Sequence, residues 1–447
     1  MLLTIDWASV GVKTLQFILS FSILVTLHEM GHFFTARWFK CRVEKFYLFF
    51  DPWFSIFKKK VGDTEYGLGW IPFGGYVKIA GMVDESMDKE QMKQPAQPWE
   101  FRSKPAWQRL IIMIGGVVVN IILALFLFIM ITWKWGDEYL PAKNLQYGIY
   151  ADSLALQIGL QSGDNILSID NKPVENFGAL PSDIILGNAK TLQVIRNGEK
   201  KTITITDDFI KALNKTHGDR FLDIQFPVIV DSVGSSAQII TGQLLKGDQL
   251  IAINNIAFDY FQQFNKIKEP LANKEVMITL LRKTDTVTIK AKLDDKAKMG
   301  FFPVSAYKLF STVTHTYTFA ESIPVGVSKC FSTLDKYIAG IGQIITHKVD
   351  ASDSLGSVIS IGNTFPGVWD WERFWVLTAI FSIILAFMNI LPIPALDGGH
   401  ALFCIYEMIT GKKPSDKFME YAQIVGMVLL LGLMAYALGL DIFRLFK

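Results

Sequence analysis

The chain has 447 residues, of which 50% are hydrophobic and only 19% are charged, and its mean hydropathy is +0.30. Soluble domains average about 25% charged residues, so this composition excludes a disordered chain and favours an integral membrane protein with sizeable soluble parts. The formal net charge of +2 gives no basic field for a nucleic-acid backbone, so we expect no nucleic-acid partner. Three cysteines are too few for a disulfide scaffold of this length.

Four apolar segments are long enough to cross a lipid bilayer, whose hydrocarbon core of about 30 Å takes roughly 20 helical residues. The predicted spans are Val10–Phe39, Leu110–Trp133, Phe374–Leu391 and Ile424–Leu440.

Lys and Arg residues cluster after the first span and again between the third and fourth spans, as at Lys58–Lys60 and Lys412–Lys413. The positive-inside rule makes both of these loops cytoplasmic. We therefore expect the amino terminus and residues 136–372 to lie on the opposite side of the membrane.

The long segment between the second and third spans contains a repeat. Gly163–Asn171 reads GDNILSIDN and Gly247–Asn255 reads GDQLIAINN, at an offset of 84 residues, and each is followed by alternating strand patterns. A unit of this length predicts two small domains in tandem. They resemble bacterial PDZ domains, which implies that each can take an extended peptide by strand addition. The alternative is a pair of packing modules without a ligand.

The chemistry-bearing motif is HEMGH at residues 28–32, inside the first span. Residues four apart share a helix face, so His28 and His32 can reach one ion, and Glu29 lies close enough to act on water. Such residues cost several kcal/mol in hydrocarbon, a cost rarely tolerated without pairing or function. The alternative is a polar patch that faces neighbouring helices.

A catalytic zinc site needs a third protein ligand, and the best candidate is Asp397 in the run NILPIPALDGGH. Pro392 and Pro394 break the third helix there and leave backbone groups without hydrogen bonds. At membrane depth such groups are tolerated only where protein or water covers them. Counted from the outer edges of their spans, His28 and Asp397 lie at similar depth, near the cytoplasmic side. Three other residues remain alternative ligands: Glu44, Glu65 and His400.

Together these motifs closely resemble the site-2 protease family of intramembrane zinc metalloproteases, in its bacterial regulator-of-sigma-E-protease branch. The resemblance implies a Zn²⁺ enzyme in which His28, His32 and Asp397 bind the metal and Glu29 is the general base. It also implies that Asn389 contacts the substrate near the scissile bond. For Asn389 the alternative is an interhelical hydrogen bond.

By the same resemblance, the protein is expected in the bacterial inner membrane, with its amino terminus and PDZ tandem outside the cytoplasm. Its substrates would be single-span membrane proteins, such as anti-sigma factors or remnant signal peptides, already trimmed by another protease. The PDZ tandem would gate their access.

Residues 64–81 match a membrane-dipping β-hairpin of the family, with a turn expected at Gly74-Gly75. The hypothesis is that its edge pairs with the extended substrate; the alternative is an interfacial anchor. The predicted substrate-binding residues of this segment are Gly74, Gly75, Tyr76, Val77 and Lys78.

Two elements depart from the family pattern. A Gly-Pro before an Asn in the second span is replaced by GGVVVN at Gly115–Asn120, and a Gly-Pro-Ile-like element before the third span is replaced by LGSVI at Leu355–Ile359. Neither belongs to the predicted metal set, so they bear on helix packing.

The predicted fold is a multi-domain integral membrane protein with a four-helix transmembrane core, a membrane-associated β-hairpin and two α+β PDZ-like domains. The predicted segments are 1–39 (first span), 40–106 (cytoplasmic, with the hairpin), 107–135 (second span), 136–215 and 216–300 (PDZ-like domains), 301–372 (extracytoplasmic amphipathic helices), 373–398 (third span with the LDG motif), 399–421 (cytoplasmic loop) and 422–447 (fourth span).

Two other functions fit parts of the sequence. A membrane-anchored zinc protease with a soluble active site would take its third ligand from the 40–106 segment. A PDZ-based scaffold or pseudoprotease would need no buried ionisable groups, so the intact HExxH motif and Asp397 argue against it.

Overall fold

The structure is a computed structural model that describes residues 6–82, 95–215, 221–234, 237–347 and 349–445. The chain forms two compact units. The helical unit comprises Met1–Gly136, Thr316–Ile338 and Leu355–Lys447, and the repeat unit comprises Asp137–His315 and Ala339–Ser354.

The described α-helices are, in chain order, α1 (Trp7–Trp38), α2 (Ala106–Trp135), α3 (Ser153–Gln157), α4 (Leu180–Leu186), α5 (Asp207–Lys215), α6 (Phe261–Lys268), α7 (Ala306–Leu309), α8 (Phe319–Ile345), α9 (Ala351–Ser354), α10 (Val358–Thr364), α11 (Trp371–Ile390), α12 (Asp397–Thr410) and α13 (Asp416–Leu445).

The described strands are β1 (Val43–Phe50), β2 (Phe57–Val61), β3 (Thr64–Leu68), β4 (Ile71–Ile79), β5 (Asp137–Tyr139), β6 (Ile149–Ala151), β7 (Asn165–Ile169), β8 (Lys172–Pro173), β9 (Thr191–Arg196), β10 (Glu199–Thr204), β11 (Leu222–Ile224), β12 (Val228–Val233), β13 (Gln238–Thr241), β14 (Gln249–Ile253), β15 (Ile256–Ala257), β16 (Glu275–Arg282), β17 (Asp285–Lys292), β18 (Phe301–Pro303) and β19 (Val313–His315).

Four helices of the helical unit are long and apolar enough to cross a membrane: α1, α2, α11 and the Lys417–Arg444 part of α13. Each overlaps a predicted span and begins earlier than predicted, and in α1 and α11 a polar residue before the apolar run caps the helix. Asp6 accepts hydrogen bonds from two backbone N–H groups at the start of α1, and Asp370 accepts one at the start of α11.

The helix α2 packs against α1, α11 and α12. Hydroxyl side chains form hydrogen bonds between the helices of this unit. Ser20 of α1 hydrogen-bonds Thr378 of α11 at 2.9 Å, and Ser382 of α11 donates to the backbone carbonyl of Asn120 in α2 at 2.8 Å. Hydrogen bonds of this kind join helices where no hydrophobic driving force between them exists.

The segment after α1 folds into a sheet with the strand order β2-β3-β1-β4. The hairpin predicted for residues 64–81 is therefore wrong: β3 pairs with one edge of β1 in parallel, and β4 pairs with the other edge antiparallel. The strand β1 lies between them in the middle of the sheet, and its Val43 and Tyr47 side chains are buried. Gly74 and Gly75 lie within β4, and the chain reverses earlier, at Gly69-Trp70.

The third span and the LDG motif are separate elements. The helix α11 ends at Ile390, and a new helix, α12, begins at Asp397. The predicted span 373–398 and the predicted loop 399–421 are therefore wrong in their boundary. Pro392 and Pro394 interrupt the backbone hydrogen bonding between the two helices, and Ala395 has a φ of +85°.

The repeat unit contains two sheets that follow the sequence repeat. The first repeat forms the sheet β10-β9-β7-β8 and the pair β11-β6, and the second forms β13-β17-β16-β14-β12-β18, with β15 beside β14. The predicted domain boundaries at 215/216 and 300/301 each fall one strand too early. The strands β11 and β18 return to β6 and β12, the first strands of their own repeats, and complete their backbone hydrogen bonds. Residues 301–372 accordingly begin with the strand β18; the helices α7 to α10 follow, with β19 between α7 and α8.

Each repeat has the same buried ion pair. Asp164 is fully buried and accepts hydrogen bonds from Arg196 at 2.7 and 2.8 Å, and Asp248, 84 residues later, accepts them from Arg282 at 2.8 and 2.7 Å. A backbone N–H three residues before each Asp donates as well. These contacts fix the glycine turn that begins each GD motif.

Candidate metal centre and active site

The two imidazoles of the HExxH motif lie on one face of α1. His28 and His32 are 7% and 5% exposed, and their Nε2 atoms are 3.3 Å apart. The ring of His32 is fixed from the other side, because its Nδ1–H donates to the carbonyl oxygen of Ile112 in α2 at 2.8 Å. The helical spacing predicted from the sequence therefore brings both rings to one point.

Asp397 completes the group from the start of α12. Its Oδ2 atom lies 3.1 Å from Nε2 of His28 and 3.3 Å from Nε2 of His32. A side chain at either of the next two residues would collide with the interrupted backbone: a Cβ at Gly399 would lie 2.6 Å from the Ile393 carbonyl oxygen. The Gly-Gly that follows the Asp therefore lets the helix start against the break.

A buried ion pair holds the helix that carries Asp397. Arg109, at the start of α2, is 6% exposed and pairs with Glu407 of α12 at 2.5 Å. The guanidinium also donates to the backbone carbonyl of Lys104 at 3.0 Å. This contact ties α12 to α2, the helix that also contacts both imidazoles.

Glycines let α1 and α2 approach closely at the site. A Cβ at Gly115 would lie 2.7 Å from the carbonyl oxygen of Gly31. A Cβ at Gly116 would lie 2.6 Å from both the His28 ring and Nε2 of His32. The imidazoles therefore occupy the space that a side chain at position 116 would take.

The converging atoms have the chemistry of a metal site. Because His32 donates through Nδ1, its Nε2 carries a lone pair. Asp397 Oδ2 is buried and, despite its short distances to the two rings, has no hydrogen-bond partner in the part of the chain that the structure describes. A buried carboxylate oxygen without a hydrogen-bond partner fits a cation, and two imidazoles with one carboxylate are a zinc ligand set. Among the residues that the structure describes, His28, His32 and Asp397 are the one group of His, Cys, Asp or Glu side chains whose ligand atoms lie close enough together to hold a metal ion.

Glu29 faces a cavity of about 470 Å³ next to the three ligand atoms. Its carboxylate accepts a hydrogen bond from the backbone N–H of Val77 in β4. Four of the predicted substrate-binding residues line the same cavity: Gly75, Tyr76, Val77 and Lys78. The sheet therefore presents its edge strand β4 to the site.

The remaining predicted residues of β4 and α11 differ in what they contact. Gly74 does not line the cavity; it has a φ of +105°, and a Cβ there would lie 2.8 Å from the Phe50 ring, so its requirement for glycine is conformational. The amide of Asn389, in the last turn of α11, lies 3.2 Å from Nε2 of His28.

Asp51 holds the Tyr76 side chain in place. Its hydroxyl donates to Asp51 at 2.9 Å, and burial together with this hydrogen bond raises the pKa of the phenol above its ordinary value. Tyr76 is therefore a neutral side chain on the cavity wall throughout the physiological range.

The alternative third ligands lie outside the metal group. Glu44 pairs with Lys78 at 3.5 Å, and Glu65 accepts a hydrogen bond from Tyr47 at 2.7 Å. His400 lies one turn beyond Asp397 in α12 and is not among the three converging residues. This geometry disfavours a site built from the soluble 40–106 segment.

The contribution of α2 was missed by sequence reasoning. Gly115, Gly116 and Asn120 all approach the imidazoles, and the side-chain amide of Asn120 lies 3.2 Å from Nδ1 of His28. A polar residue four positions after a glycine, inside an otherwise apolar span, was the available signal.

Comparison with known proteins extends these findings over nearly the whole chain. The sequence pattern of Peptidase family M50 matches residues 16–433. The chain is 26% identical to a protein of Thermotoga maritima over 96% of this chain and 98% of that protein, and zinc metalloprotease is part of that protein's name. Proteins of Neisseria meningitidis and Vibrio cholerae also have zinc metalloprotease in their names, and each is 26% identical to this chain. Both alignments span 96% of this chain, together with 99% of the Neisseria protein and 98% of the Vibrio protein.

The match includes the spans of α1, α2 and α11 and the segment that supplies Asp397, and it agrees with the membrane-crossing length of four helices. The chain is a membrane protein that belongs to Peptidase family M50, the site-2 protease family, and is a zinc metalloprotease.

Proposed function

We propose that this enzyme hydrolyses peptide bonds within the transmembrane segments of single-span proteins of the bacterial inner membrane, such as anti-sigma factors or remnant signal peptides. The observation that carries the proposal is the position of the converging ligand atoms: two lie on the membrane-crossing helix α1, and the third lies at the start of α12, separated by six residues from the end of the membrane-crossing helix α11. His28 lies roughly 32 Å along α1 from its first residue and roughly 15 Å from its last, at 1.5 Å per residue. The amino terminus and the repeat unit are proposed to face the outside, which places the site near the cytoplasmic surface, where water is close.

In this proposal, His28, His32 and Asp397 hold the zinc and Glu29 moves the proton. Zinc, when bound, lowers the pKa of water to about 7 and polarises a carbonyl oxygen. Glu29 takes a proton from the attacking water and delivers it to the leaving amine nitrogen, which is the work of a general base and then a general acid. One wall of the cavity beside Glu29 is the edge strand β4, to which an extended backbone can add.

Substrate pairing with β4 follows from the direction of its free edge. A transmembrane helix hides its carbonyl groups in i to i−4 hydrogen bonds, so a segment must unwind before it can be cut. One edge of β4 pairs with β1, and the Val77 N–H on the other edge points to Glu29. An extended substrate that adds to this edge lies beside the metal group. Asn389, next to His28, is proposed to contact the same segment.

Proline tests this pairing, since it removes a backbone N–H. We expect Val77→Pro and Gly75→Pro, on alternate positions of the free edge, to abolish cleavage while zinc content is unchanged. The matched control is Lys59→Pro in β2, the opposite edge of the sheet. Equal turnover in the β4 variants and wild type would exclude substrate pairing there.

The repeat unit is proposed to select substrates by size and to bind peptides. A cavity of about 520 Å³ lies against α4 and β11 and is lined by apolar side chains that include Leu180, Leu222 and Ile224. An edge strand beside a helix and an apolar cavity suit an extended peptide. The size limit would admit substrates only after another protease has trimmed them. Deleting residues 149–303 should then permit cleavage of untrimmed substrates; an unchanged size preference contradicts gating.

The main test is co-expression with a tagged single-span substrate. Wild type should release a fragment whose new end maps inside the span, and Glu29→Gln should release none while binding the same amount of zinc, because only proton transfer is lost. A cut outside the span, or cleavage by the Glu29→Gln variant, would overturn the proposal.

A further inference from the structure

Asn120 is a polar side chain in the middle of α2, and it is fully buried. Its amide lies 3.2 Å from Nδ1 of His28, on the side of the ring opposite Asp397. A buried amide is costly unless it is hydrogen-bonded, so this contact needs a chemical reason.

The neighbouring imidazole shows what a zinc ligand requires. His32 donates its Nδ1–H to the Ile112 carbonyl, which leaves the Nε2 lone pair directed at the point where the three ligand atoms meet. For His28 to act in the same way, its Nδ1 must also carry the proton and must find an acceptor. Asn120 is the side chain in contact with that nitrogen.

The two orientations of the Asn120 amide have opposite consequences. With the NH₂ group toward His28, Nδ1 must accept, the proton sits on Nε2, and that proton points at the metal position. This orientation also leaves Oδ1 of Asn120 buried without a partner among the described residues. With the oxygen toward His28, Nδ1–H donates and Nε2 keeps its lone pair. The hydrogen-bond partners decide which atom of the amide faces the ring.

We propose that Asn120 is a positioning residue whose side-chain oxygen accepts the Nδ1–H of His28 and holds that ring in the tautomer that binds zinc through Nε2. The inference rests on the proposed ligand set. Partners of this kind typically change metal affinity by about 10- to 100-fold when removed.

The test measures the zinc dissociation constant of the purified full-length protein by competition with a chelator. Asn120→Leu keeps the approximate size of the side chain and removes the acceptor, so zinc affinity should fall about 10- to 100-fold. Asn120→Asp keeps an acceptor oxygen and cannot donate as a carboxylate, so it should retain near-wild-type affinity. The matched control is Ser382→Ala, which removes a hydrogen bond to the backbone of Asn120 without touching His28, and its zinc affinity should be unchanged.

Asn120→Asp decides the question even if Asn120→Leu fails to fold. A loss of about 10-fold or more in Asn120→Asp overturns the inference by itself, and so does an unchanged zinc affinity in Asn120→Leu. His28→Ala separates it from the ligand set: zinc binding must be lost in this variant. If His28→Ala binds zinc normally, the ligand set itself is wrong; if it loses zinc while both Asn120 variants keep it, only the role of Asn120 fails.

Discussion

The helical unit and the repeat unit each bury carboxylates, and the two kinds of site differ in how those carboxylates are satisfied. Asp164 and Asp248 each accept two hydrogen bonds from an Arg and one from the backbone. Asp397 instead meets two imidazole nitrogens, and its Oδ2 atom has no hydrogen-bond partner within the described part of the chain.

This contrast separates a structural acid from a functional one. A buried carboxylate surrounded by donors has its charge balanced by the fold itself, and a cation added there would meet a guanidinium. A buried carboxylate surrounded by other electron-rich atoms is balanced only when something positive binds. Each of the three substitutions below changes one kind of site and should leave the other intact.

The largest effect is expected for Asp397→Asn. The amide is a poor zinc ligand, so activity should be lost and zinc affinity should fall more than about 100-fold. Residues that only hydrogen-bond a metal ligand typically change metal affinity by about 10- to 100-fold. Zinc content after dialysis against a chelator measures the loss of affinity. Asp164→Asn, in the repeat unit, is the matched control and should keep its zinc. Full zinc content in Asp397→Asn would show that the carboxylate is not a ligand.

A smaller loss is expected for Gly116→Ala. The added Cβ would lie 2.6 Å from both rings, so the imidazoles must shift, and a displacement of this kind can cost about 100-fold in activity. Zinc affinity and turnover should both decrease. Gly11→Ala in α1 is the control, because a Cβ at that position meets nothing within 4 Å. Unchanged turnover in Gly116→Ala would mean that a Cβ at this position does not displace the imidazoles.

The smallest effect on catalysis is expected for Arg282→Met. It leaves the Asp248 carboxylate buried without its main partner, which should destabilise the second repeat. Hydrogen exchange in peptides that cover β16 and β17 should become faster, while zinc content stays at the wild-type level. Arg196→Met should do the same in the first repeat. A loss of zinc in either variant would contradict the separation between the two kinds of buried acid.

Local patterns predicted the elements that depend on neighbours in the sequence. The four-residue spacing of His28 and His32 placed both rings on one face of a helix, and apolar length placed the four spans. The order of the strands around β1 was not predictable in this way, because pairing of β3 in parallel and β4 antiparallel depends on the path of the whole segment. For the same reason, the returns of β11 and β18 to their own repeats went unnoticed.

The residues of the first span were enough to predict that its imidazoles need a partner, since such groups are costly in hydrocarbon. The prolines beside Asp397 indicated where that partner would come from. How closely the helices meet depends on the packing of the whole unit. The contacts of Gly116 and Asn120 with the rings join residues more than 80 positions apart, and packing, not helical periodicity, brings them together.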